Sequence, residues 1–205
     1  MKIDVALNKL NELLPLKERQ NAISDELKLL HQNILFSFAK TGIALTTANK
    51  KAQLNELAKN DLVVLDKENN KISGAYPFSL KETAHHVFLE NTDLYAMCAF
   101  DAISIAPVFD VSTKIISHCH ITNDKIELHQ NGNKVLSVSP SKDIHIGIKW
   151  QSTGSCAAES LCMEMVFLRD KDVANNWQES DKNINVFPLN DALIFAVNYF
   201  SPLIE

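Results

Sequence analysis

The sequence predicts an α+β fold in two parts, an N-terminal winged-helix-like helical module over residues 1–80 and a mixed β-sheet domain with flanking helices over residues 81–205. Three observations predict it. Apolar residues recur at helical spacing through the N-terminal region and then give way to a hairpin pattern. Beyond residue 80, strands and helices are interspersed without the regular βαβ order of a parallel sheet. Charge and cysteine content change at the same place: residues 1–80 carry a net +2 and no cysteine, whereas residues 81–205 carry a net −7 and all four, Cys98, Cys119, Cys156 and Cys162.

Each element follows from local chemistry. Ile3, Leu7, Leu10 and Leu14 repeat at helical spacing until Pro15 stops the helix. Ser24 is a natural N-cap for a second helix with Leu27, Leu30, Ile34 and Phe38 on one face, and Gly42 is its C-terminal stop. Thr46 or Thr47 caps a third helix through "ANKKAQLNELAKN". "LVVLDKENNKISGAYPFS" reads as two strands around a polar turn at Asn69 and Asn70, which completes the order of a winged helix-turn-helix. "TDLYAMCAFDAISIAP" predicts a helix capped by Thr92 or Asp93 and closed before Pro107. "STKIISHCHI" is a strand, "KIELHQNGNKVLSVSP" a hairpin turned at Asn131-Gly132-Asn133, and "DIHIGIKW" a further strand. "GSCAAES" is a loop or short helix, "LCMEMVFLRD" a strand, "DVANNWQES" a helix, and "PLNDALIFAVNYF" a final amphipathic helix.

The bulk properties exclude several classes. With 46% hydrophobic and 22% charged residues the chain is an ordinary globular sequence, and no apolar run reaches bilayer length. Asp4, Asn8 and Glu12 interrupt the N-terminal apolar pattern, which does not suit a signal peptide, so the expected compartment is the cytoplasm, where cysteines stay thiols. The basic footprint of the N-terminal module is thin: Lys50, Lys51 and Lys59 stand against Glu56, and Lys67 and Lys71 against Asp66 and Glu68, with no arginine to read bases. A module used for packing fits this better than one that binds nucleic acid.

Candidate chemistry concentrates in the second part. Cys98 and Asp101, three apart on the predicted helix, bring a thiol within reach of a carboxylate; the bland alternative is a small buried Cys98 beside a solvent-facing Asp101. On the predicted strand "CMEMVFLRD", Cys162, Glu164 and Val166 share one face, and Met163, Met165 and Phe167 share the other and belong to the core. Cys156 beside Gly154 and Ser155 reads as a loop thiol. His118 and His120 point away from Cys119 on a strand, and the chain lacks paired ligands such as C-x2-C, so no zinc site is expected. His85 and His86 read as partly exposed strand residues. Glycine-rich phosphate loops and the H-E-x-x-H and G-x-S-x-G motifs are absent.

The stretch "DKENNKISGAYPFSLKETAHHVFLENTDLYAMCAFDAISIAPVFDVSTKIISHCHIT", followed by "KVLSVSPS" and "LCMEMVFLRDKDVANNW", resembles the alkylmercury (organomercurial) lyase family. The likeness runs from about Leu65 to Trp177 and rests on motifs in order: a wing hairpin, "L-x-E-T", "LYA-x-CA-x-D", "SHC", "VSPS", and a second cysteine ahead of an aromatic strand and a distant Trp. The resemblance implies that 81–205 is a catalytic domain, that Cys98, Asp101 and Cys162 form its catalytic trio and hold mercury as substrate and product, and that Cys119 is a structural thiol. Cys156 has no counterpart. Met97 stands where an aromatic is expected and Met163 where a second cysteine is expected, which bears on substrate range.

The implied chemistry suits these residue types. Mercury(II) is soft, and thiolate is the softest protein ligand. An unperturbed thiol is only about 3% ionised at pH 7, so a neighbouring carboxylate has a purpose. When R–Hg⁺ meets two thiols to give R–H and dithiolate-bound Hg²⁺, two protons leave sulfur and one reaches carbon; Asp101 would act first as base and then as acid. The expected activity is therefore carbon–mercury protonolysis without a resident cofactor, with small thiols needed for product release and mercuric reductase as the implied Hg(II) acceptor. A non-catalytic soft-metal-binding homologue would keep the cysteines without needing Asp101. A metal-responsive winged-helix regulator is disfavoured by the acidic second part.

Overall fold

Ala6, Leu10 and Leu14 are buried along one side of the first helix, α1 (Ile3–Leu13), which stops ahead of Pro15. The proline then serves as N-cap of a short helix that the apolar pattern did not announce, α2 (Leu16–Asn21). In α3 (Asp25–Thr41) the Ser24 hydroxyl accepts the Leu27 N–H at 3.4 Å, and Asp25 and Glu26 complement the positive end of the helix. The helix ends at Gly42, whose φ of +70° favours glycine; a Cβ there would also fall 2.3 Å from Thr92 Oγ1. The helix α4 (Lys51–Lys59) buries Leu54 and Leu57. The computed structural model describes residues 1–45, 49–68, 70–153 and 157–205. The expected cap at Thr46 or Thr47, the turn residue Asn69, and Gly154, Ser155 and Cys156 lie outside the described residues.

The rest of the chain supplies β1 (Val64–Leu65), β2 (Ile72–Ala75), β3 (Phe78–Ser79), β4 (His86–Phe88), β5 (Asp93–Ala96), α5 (Ala99–Phe109), β6 (Ser112–His118), β7 (Lys125–Asn131), β8 (Lys134–Ser139), β9 (His145–Lys149), β10 (Met165–Leu168), α6 (Lys171–Ser180), β11 (Ile184–Pro188) and α7 (Leu189–Phe200). Eight strands form one sheet in the order β1-β2-β3-β5-β4-β6-β7-β8, and three form a second in the order β10-β9-β11. Every pairing between described strands is antiparallel, so the sheets are not mixed as expected. Short connections such as the Gly132-Asn133 turn, with Gly132 at φ +50°, reverse the chain and leave no room for a parallel crossover. The β1–β2 hairpin, with Asn70 at φ +58° in its turn, belongs to the large sheet, which crosses residue 80 where β3 pairs with β5. Among the described residues no helix is long and apolar enough to cross a membrane.

Four local expectations are corrected. Leu94 and Ala96 alternate into the core as part of β5, which pairs with both β3 and β4, so the helix starts at Ala99 and not at Thr92 or Asp93. It also continues through Pro107. The missing proline N–H would have bonded the Ile103 carbonyl, and the Gln130 amide from β7 donates to that carbonyl instead, at 3.1 Å. Leu161–Glu164 is a 3₁₀ turn and not the start of a strand, which leaves Met163 66% exposed while Met165 and Phe167 are buried as expected. His85 is buried, bonded through Nδ1 to the Ser117 hydroxyl at 2.9 Å and packed on Phe167.

Candidate active site

Helix α5 is buried on almost every side, with Phe100, Ile103, Ile105 and Val108 pointing into apolar surroundings. Its first turn presents the chemistry. Cys98 is the N-cap, held in extended conformation by the strand that feeds it, and its Sγ accepts the Asp101 N–H at 3.3 Å. This is the geometry of half a capping box, with cysteine in the place usually taken by serine or threonine and an acid three residues on. The local helix start therefore explains why the thiol and carboxyl stand three apart. Cys162 arrives from the other sheet, on the 3₁₀ turn directly ahead of β10.

The ligand atoms of Cys98, Asp101 and Cys162 all lie within 4.8 Å of one another, and all three residues are buried. Neither Asp101 carboxylate oxygen makes a hydrogen bond of regular geometry. Burial pushes its carboxyl up to about 7, an effect partly offset by the thiol and backbone N–H of Cys98. Burial also pushes the Cys98 thiol well up, reinforced by Cys162 and Asp101. Burial thus keeps the Cys98 thiol neutral and leaves the Asp101 carboxyl close to half-protonated at neutral pH. The Tyr199 phenol is held in its neutral form by the same burial, with the negative forms of Cys162 and Asp101 adding to the effect.

The trio lines a small cavity of about 10 Å³ with Leu10, Leu14, Tyr76, Phe100, Met165, Tyr199 and Phe200, space for roughly one water molecule. Residues 157–159 precede the Cys162 turn and are tied down by Tyr76, whose hydroxyl accepts the Ala158 N–H at 2.9 Å and meets Asp61, itself paired with Arg19 at 3.1 Å. The Tyr199 hydroxyl donates to the Leu14 carbonyl at the end of α1. Leu10, Leu14, Tyr76, Met165 and Tyr199 were not foreseen as site residues. No spacing rule connects them to Cys98, because they come from three separate elements, α1 with its C-terminal end, β10 and α7, and from the loop before β3.

Cys119 lies elsewhere. It is buried in a tight turn in which its N–H donates to Asp124 and its carbonyl accepts from Asn123. Burial works to raise its thiol pKa, but the Thr122 hydroxyl and the N–H groups of Thr122, Ile121 and Arg169 outweigh it and bring the pKa below the usual thiol range. His118 and His120 are exposed on either side. Among the described residues, the only cluster of three or more histidine, cysteine or acidic side chains able to hold a metal is Cys98, Asp101 and Cys162.

The family model for alkylmercury lyase (MerB) matches residues 78–201. The chain belongs to the alkylmercury lyase family. Its relatives in that family include the alkylmercury lyases of Bacillus cereus and Clostridium butyricum, each 25% identical over 150 residues, covering 73% of this chain and 68% of the relative. The Staphylococcus epidermidis alkylmercury lyase is 26% identical over 125 residues, covering 61% and 57%. The mercury-bound form of MerB2 has a similar fold, with a TM-score of 0.72 at 21% identity over 93% of this chain and 98% of that one. The fold likeness thus covers more of the chain than the family model, which matches residues 78–201.

Proposed function

We propose that the chain cleaves carbon–mercury bonds by protonolysis, releasing a hydrocarbon and leaving Hg(II) on Cys98 and Cys162. The observation that carries this reading is the meeting of two thiols and a carboxyl without a regular hydrogen bond in one buried cavity. R–Hg⁺ displaces the proton of one thiol, and Asp101 is close enough to take it. A carboxyl tuned to about 7 is a stronger base than an ordinary aspartate and, once protonated, a competent acid at neutral pH. As the second thiol loses its proton and binds, two sulfur donors push electron density through mercury onto carbon. Asp101-H then protonates that carbon, the C–Hg bond breaks, and R–H leaves. One proton has moved from sulfur to carbon, the other is released, and the mercury keeps its +2 state throughout. The apolar walls exclude water and suit the organic group.

External thiols would remove Hg(II), with mercuric reductase as the acceptor in a cytoplasmic setting, and no resident cofactor enters the scheme. The N-terminal helices and hairpin serve in this reading as a winged-helix-like packing module over the catalytic part. The test is incubation with phenylmercury and excess small thiol. Wild-type protein is expected to release benzene. Asp101→Asn should release it at least about 100-fold more slowly while still binding Hg(II). Stoichiometric mercury binding with no benzene from wild type would transfer the chain to the soft-metal-binding alternative.

A further inference from the structure

Met165 is a conspicuous neighbour of the trio. Its Sδ lies 3.6 Å from Cys98 Sγ and accepts the Cys98 S–H, and it lines the same cavity as Asp101 and Cys162. We propose that Met165 is a third sulfur ligand to the Hg(II) held by Cys98 and Cys162. The proposal rests on the reading of this trio as a mercury site.

The geometry carries the argument. A thioether lone pair that receives the Cys98 proton is aimed at the position a metal takes when it replaces that proton. The gap is short enough for one ion to touch both sulfurs. Met165 is also fixed in place: it opens β10, is 3% exposed, and pairs with Ile148 of β9. Methionine often fills irregular core gaps through its flexible apolar chain, but such a role does not require the sulfur to meet another sulfur. Met163, two residues earlier, is turned outward and cannot share this task.

The ligand chemistry fits as well. Thioether sulfur is soft and matches mercury. It is also neutral, so two thiolates, one Hg²⁺ and one thioether sum to zero charge. A third thiolate would add a negative charge to a buried site that already holds the Asp101 carboxyl, which is costly. The expected consequence is slower transfer of Hg(II) to small thiols than two thiolates alone would give.

The experiment adds HgCl₂ directly to the protein, so it does not depend on C–Hg cleavage. In selenomethionine-labelled wild-type protein, X-ray absorption at the mercury edge should show a selenium neighbour. Labelled Met165→Leu, which conserves volume, should lose it and should pass Hg(II) to excess small thiol at least about fivefold faster (about 1 kcal/mol). Absence of selenium around mercury in wild type, or its persistence in Met165→Leu, overturns the proposal, the latter by pointing to another methionine. The wild-type measurement stands even if the variant fails to fold. A selenium neighbour without benzene from phenylmercury keeps Met165 as ligand and discards the lyase reading. Wild-type protein that takes up no Hg(II) discards both.

Discussion

Asp101 is both the reason to expect a site and a burden on the fold. Its carboxyl is buried, without a regular hydrogen bond, and pushed up to about 7 from an ordinary 3.8. Because the folded-state value is the higher one, the folded protein binds more protons than the unfolded chain between those values. Stability from this residue is therefore fully present below about pH 4 and is lost as pH rises through 7. Asp101→Asn removes the ionisation. Its metal-free stability relative to wild type should grow by about 2–3 kcal/mol between pH 5 and pH 8, measured by urea midpoints at both pH values; no pH dependence in the difference would refute the raised, buried carboxyl. At this scale the sequence was only partly legible. Cys98 and Asp101 could be paired by spacing alone, but spacing equally allowed a solvent-facing acid, and family resemblance supplied the reason to prefer the site. Cys162 lies 64 positions away, and no local rule could join it to the others. Met165 was read correctly as buried, yet its sulfur contact depends on how β10 docks against the start of α5.

Among the elements, those written in local chemistry were legible and those decided by pairing were not. Ser24 and Gly42 mark the ends of α3 as expected, since caps act through their own neighbours. The start of α5 was misplaced because "DLYA" is compatible with either period over so short a run, and it is its pairing with β3 and β4 that makes it a strand. Pro107 misled for a related reason. A proline signals a helix stop unless a distant donor satisfies the carbonyl it strands, and here that donor is Gln130. Gln130→Leu should therefore destabilise the fold by about 1–3 kcal/mol by leaving the Ile103 carbonyl unsatisfied. Adding Pro107→Ala restores an N–H at the right position, so the double variant should regain most of the loss. Denaturant unfolding of the four proteins in the cycle gives the coupling directly; additive losses would show that the Gln130 bond does not substitute for the missing proline N–H.

Across the whole molecule, the site is a junction of both sheets, the central helix and the first and last helices. Cys98 comes off the large sheet, Cys162 precedes the small one, and Leu10 and Leu14 of the first helix close the cavity against Tyr199 and Phe200. The space beside the trio holds roughly one water molecule, so an organic group seated there needs this wall to move. The N-terminal helix is the natural part to move. The Tyr199 hydroxyl fastens its end by donating to the Leu14 carbonyl, and that bond spans 185 positions of sequence. Tyr199→Phe keeps the ring and its packing but releases the carbonyl. Loss of the bond should favour opening by about 1 kcal/mol, so Cys98 and Cys162 should react with a small thiol reagent about fivefold faster. Cys119, buried outside this cavity, provides the internal comparison. If all three thiols accelerated together, Tyr199 would be supporting global stability. Selective acceleration of the two cavity thiols would identify the Tyr199–Leu14 contact as the fastening that controls access to them.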